Sequence, residues 1–149
     1  MWTSSMLLGN TRKEPFTESG TFATDLDGWT QTSGSASWSS TNFRTSTGAV
    51  SLSASSAMEI TIDNAVCGGL TITASIWHKT AAGTNQPRTL SYKIGSGSFV
   101  TLATVTDTSM TYAQLSGSFE NPGDDDVTIK FSVGGGSIIY ADDWSISGV

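Results

Sequence analysis

From residue 16 onward, apolar and polar residues alternate with a period of two. Met58, Ile60 and Ile62 alternate with Glu59, Thr61 and Asp63, and Leu70, Ile72, Ala74 and Ile76 alternate with Thr71, Thr73, Ser75 and Trp77. Leu90, Tyr92 and Ile94 continue the pattern, followed after Gly95-Ser96-Gly97-Ser98 by Val100 and Leu102. Leu115, Gly117 and Phe119 come next, then Val127, Ile129, Phe131 and Val133. Successive strand side chains point to opposite faces, so each run predicts a strand with one face buried. Asn121-Pro122-Gly123 and Gly134-Gly135-Gly136 predict turns between them. Weaker strands are expected around Ala36–Phe43 and Ala49–Ser53.

No window of about 12 or more residues carries a helical apolar stripe. Roughly eight to ten short strands joined by Gly- and Asp-rich turns predict an all-β chain folded as a two-sheet antiparallel β-sandwich. The period alone does not separate an immunoglobulin-like strand order from a jelly roll. Residues 1–15 lack the alternation and are read as an extended N-terminal arm, with residues 16–149 as the sandwich domain. The apolar side chains of that arm, Trp2, Met6, Leu7 and Leu8, need cover, either on the sandwich or on a neighbouring subunit.

Ser and Thr together supply 46 of the 149 residues and Gly another 16, which suits short strands and tight turns. The net charge is −6 with seven basic residues. Nucleic acid is excluded as a partner, since a phosphate-binding face needs clustered Lys and Arg. No run is long enough to span a membrane, so no membrane insertion is expected. Met1 to Leu8 has no basic stretch and too short an apolar one for a secretory signal. The single cysteine, Cys67, excludes an intramolecular disulfide and reads as a buried thiol.

Trp77 ends a row with Thr71, Thr73 and Ser75 on the face opposite the apolar residues, where an indole can stack on a sugar or anchor a protein contact. Tyr112 and Gln114 fall on the phase opposite Leu115 and join it as candidate ligand-binding residues. Trp38 is a further candidate, Lys93 and Lys130 project outward, and Trp29 and Trp144 are assigned to the core. His78 follows Trp77 on the inward phase and reads as a packed histidine. No nucleophile elbow surrounds any serine, no carboxylate pair lines an implied cleft, and the triglycine lacks a phosphate loop's lysine. The chain is therefore read as non-catalytic.

Near the C-terminus, Ile138-Ile139-Tyr140-Ala141-Asp142-Asp143-Trp144-Ser145-Ile146 is an apolar strand interrupted by two acids. Alternation places Asp142 inward with Tyr140, Trp144 and Ile146, and an inward carboxylate needs a partner or a metal. The acids Asp124-Asp125-Asp126 read instead as a solvated turn. Phe16 to Gly20, Gly28-Trp29-Thr30, Thr47-Gly48-Ala49-Val50-Ser51-Leu52 and Tyr140 to Ile146 resemble the motifs of the jelly-roll carbohydrate-binding modules.

That resemblance implies a jelly roll whose first and last strands lie side by side. It also implies one structural calcium held by Glu18, the backbone near Thr47 and Gly48, and Asp142. The alternative is that loop amides, without metal, satisfy Asp142. Proteins resembling this family also serve as virion decoration subunits. Two functions are therefore expected, in this order. The first is a subunit of a larger assembly, a virion-surface decoration (cement) or tail-associated protein docked through residues 1–15 on capsid or tail subunits. The second is a polysaccharide-binding module that recognises glycans through exposed aromatics. Either places the chain on a virion or extracellular surface.

Overall fold

The computed structural model describes residues 13–45 and 47–149. The arm residues Trp2, Met6, Leu7 and Leu8 lie outside the described residues. Among the described residues there are eleven strands: β1 (Phe16–Gly20), β2 (Thr30–Ser33), β3 (Ala36–Ser39), β4 (Ala49–Leu52), β5 (Ala57–Ile62), β6 (Thr71–Thr80), β7 (Gln86–Ile94), β8 (Val100–Asp107), β9 (Ala113–Glu120), β10 (Val127–Val133) and β11 (Ile139–Gly148). One short helix, α1 (Asn64–Cys67), connects β5 to β6 and is capped by the Asp63 carboxylate, which accepts from the Ala65 amide at 2.7 Å.

The strands form two antiparallel sheets packed as a jelly-roll sandwich. A six-stranded sheet runs β9-β6-β11-β4-β3, with β1 also on β11, and a five-stranded sheet runs β2-β5-β10-β7-β8. The inward residues of the long alternating runs build the core, with Ile72, Ile76, Ile129 and Phe131 fully buried. Tyr92 of one sheet stacks on Phe119 of the other at 3.7 Å. Trp29 and Trp144 meet edge to face at 5.7 Å, both in the core as their sequence positions predict.

The first and last of the described strands lie side by side. One edge of β11 pairs along its length with β6; the other is shared, Ile139–Ala141 pairing with β4 and Trp144–Gly148 with β1. Gly20 sits opposite Trp144. A Cβ on Gly20 would stand 2.6 Å from the Trp144 indole nitrogen and closer still to the Asp27 carboxylate, so this strand position has no room for a side chain.

The changeover on β11 is a β-bulge. The register against β6 slips between Asp142 and Trp144, and Asp143 has a φ of 52°. Asp142 therefore pairs with Trp77, and Tyr140 with Lys79, on the outer face; after the bulge Trp144 and Ile146 turn inward opposite Ile76 and Ala74. This corrects the sequence expectation. Asp142 is buried but does not point between the sheets with Trp144, because the extra residue reverses the phase.

Candidate functional site

On the outer face of the six-stranded sheet, Trp77 stands between Gln114 and Asp142. The segment after β3 crosses this face, and the two acids of the bulge hold it down. Asp142, fully buried, accepts from the amides of Arg44 (2.7 Å), Thr45 (3.3 Å) and Asp143 (2.8 Å). Asp143 accepts from the Arg44 guanidinium at 2.6 Å and the Thr45 hydroxyl at 2.6 Å. The Arg44 guanidinium then lies 3.7 Å from the centre of the Trp77 ring. Burial raises the Asp142 carboxyl above its usual value, against the lowering effect of its amide donors.

Tyr112 belongs to the same neighbourhood and donates its hydroxyl to the Asn42 carbonyl at 2.6 Å. Burial, then the nearby Asp142 and Asp143, push its phenol above the ordinary value. Lys79 lies between Tyr112 and Tyr140, 5.2 and 5.9 Å from the ring centres. The structure thus gathers Trp77, Tyr112 and Gln114, as alternation predicts, but tethers the first two to the crossing loop. Trp38 stands apart. It is 39% exposed, pairs with the buried Val50 and donates its indole N–H to the Phe22 carbonyl at 2.8 Å.

The outer face of the five-stranded sheet carries a different set. Lys93 pairs with Thr128 and Lys130 with Ser91, which makes the lysines diagonal neighbours on one face. Phe99, immediately before β8, folds beside them: the Lys130 ammonium is 4.0 Å and the Lys93 ammonium 5.1 Å from its ring centre. Neither lysine makes an ion pair among the described residues, although Glu59 lies across from Lys130. Thr61 and Thr128 share a hydrogen bond of 3.0 Å nearby, and the exposed Thr101 stands opposite the buried Ser91. Phe99 has no apolar alternation to mark it; its only signal is that the phase of Val100 puts it opposite Lys93.

Between the sheets, Arg88 is fully buried. Its Nε donates to His78 Nδ1 at 3.3 Å, and its terminal nitrogens bond the Gln86 carbonyl, the Asp107 carbonyl and the Asp107 carboxylate. Burial, reinforced by Arg88, lowers the His78 pKa to about 4, so the imidazole is neutral and accepts. The Ser109 amide, ahead of Arg88, holds the Asp107 carboxyl below the usual range. His78 is inward and packed, as its phase predicts.

The residues expected to hold calcium do not fit that ion. Glu18 is exposed on β1 opposite Ile146, and Gly48 is buried with its Cα against the Trp38 indole. Both oxygens of Asp142 face N–H donors, which a cation would displace. Among the described residues, no group of three or more His, Cys, Asp or Glu is placed to bind a metal. Asp124 pairs with Lys13 at 3.6 Å and Asp126 accepts from the Asn64 amide at 2.8 Å, so two acids of the predicted solvated turn have structural partners.

No family model matches the chain, and no curated protein matches it. Solved structures do. The chain is similar to the CBM22-1 xylan-binding domain of Xyn10C from Paenibacillus barcinonensis, with a TM-score of 0.75 and 14% identity over 93% of this chain and 97% of that one. It is similar to the CBM22-1–GH10 modules of Clostridium thermocellum endo-1,4-beta-D-xylanase 10B complexed with xylohexaose. There the TM-score is 0.74 at 16% identity, and the match takes in 88% of this chain but only 28% of that one. The K1 cleaved adhesin domain of Lys-gingipain from Porphyromonas gingivalis matches at a TM-score of 0.63 and 14% identity, over 88% of this chain and 97% of that one. The chain has the two-sheet sandwich fold of these carbohydrate-binding modules and adhesin domains.

Proposed function

We propose that this chain is a non-catalytic polysaccharide-binding module that holds its glycan on the outer face of the five-stranded sheet. The observation that carries the reading is Phe99, a half-buried aromatic ring on the outer strand face, with two lysine ammoniums over it and the exposed Thr61 and Thr101 on the same sheet. Aromatic faces stack on sugar rings while hydroxyls and ammoniums meet their oxygens. The same fold over nearly the whole length of xylan-binding domains supports it. It therefore ranks above the virion-assembly reading that the sequence placed first.

Trp77, the ring expected from sequence, is the weaker platform. Arg44 covers it and is neutralised and fixed by Asp143, whereas the lysines on Phe99 make no ion pair among the described residues and have flexible stems that can swing to a ligand. The test is depletion of the protein by insoluble xylan. Phe99→Ala should weaken retention by about tenfold while the fold is kept. Retention unchanged by that substitution would remove Phe99 from the site.

A further inference from the structure

We infer that the glycan held on this face is acidic, a polysaccharide bearing uronate carboxylates that Lys93 and Lys130 receive. The inference rests on the glycan-binding reading and names its ligand class. The chain has 13 acidic residues against seven basic ones, so cations have an abundance of potential partners. Lys13, Arg44 and Arg88 each have one, in Asp124, Asp143 and Asp107. Among the described residues Lys79, Lys93 and Lys130 make no ion pair, and of these Lys93 and Lys130 converge on a single ring from adjacent strands.

Two ammoniums brought to one ring repel each other, and Phe99 offsets this only through its quadrupole. An anion placed between them removes the repulsion and gains two charge-assisted hydrogen bonds. The ring beside them supplies an apolar surface for the sugar that carries the anion, while a free inorganic anion would leave it unused. Ring, paired cations and neighbouring hydroxyls together match a sugar with a carboxylate. A neutral glycan would leave the convergence of the lysines without a counterpart.

The experiment compares one glucuronate-bearing xylan with the same xylan after carboxyl reduction, by affinity electrophoresis of the whole chain. Wild type should bind the acidic form roughly tenfold more tightly, and this preference should shrink as salt rises. The double variant Lys93→Gln/Lys130→Gln should lose the preference yet retain the reduced form. Lys79→Gln removes a charge on the opposite sheet and should change neither. Equal binding of both forms by wild type, or a preference that survives the double substitution, overturns the acidic assignment and leaves the glycan reading standing. A preference lost equally in Lys79→Gln reduces the effect to net charge and also overturns it. Binding of neither form overturns both readings. Circular dichroism of each variant confirms that the sandwich is retained.

Discussion

The guanidinium of Arg44 lies over the indole of Trp77, 3.7 Å from the ring centre, and the same group is bonded to Asp143 at 2.6 Å. A loop residue thus joins a β6 ring to a β11 acid. Removing the guanidinium in Arg44→Ala should cost about 1–2 kcal/mol, since a partly desolvated cation–π contact and an ion pair are lost together. It should also open Trp77 to solvent. Urea melts and acrylamide quenching of tryptophan fluorescence check this; unchanged quenching would show that the indole is covered by something else.

Asp142→Asn should destabilise by roughly 1–3 kcal/mol, because an amide nitrogen must face at least one N–H now satisfied by a carboxylate oxygen. Since the amides of Arg44, Thr45 and Asp143 already donate to both oxygens of the acid, calcium and chelator should leave the melting midpoint where it is. A chelator-dependent fall in that midpoint would restore the metal reading.

Acid should weaken the fold through His78. The unfolded imidazole takes its proton below pH 6.5, the folded one only below about 4, so between those values the unfolded chain binds more protons. Stability is therefore lost as pH falls through that window, by about 3 kcal/mol in full. Asp107 acts in the same direction at still lower pH, because its folded carboxyl is depressed. His78→Gln should flatten the dependence of midpoint on pH between 6.5 and 4.5. A His78→Gln midpoint that falls with pH as steeply as that of wild type would contradict the assignment.

Gly20→Ala should cost about 2 kcal/mol or more, since the added methyl collides with Trp144 and Asp27 where β1 meets β11. Chemical denaturation of the purified variant measures the loss. A cost below about 0.5 kcal/mol would mean the strand pair can shift, which its place beside the core Trp29–Trp144 contact argues against.

Much of the architecture is legible in the chain because strand burial has a two-residue period. The inward sets of β5, β6 and β10 and the inward His78 follow from alternation, whereas Cys67 is buried from a helix and Trp29 from a loop. Trp77 and Gln114 fall on a common face for the same reason. Arg88 shares the phase of Leu90, but a lone arginine in an apolar row does not announce that His78 and Asp107 wait across the gap.

Alternation by itself determined which residues face the core and that two pleated layers must cover one another, because that information is local and repeats every second residue. Only the tertiary structure decided what stands opposite what. One extra residue at Asp143 reversed the phase of β11, turned Asp142 outward under a loop, and let Arg44, 98 positions earlier in the chain, cover Trp77. It also decided that Phe99 would meet Lys93 and Lys130, since a strand's outward face carries no mark of which neighbour will lie beside it.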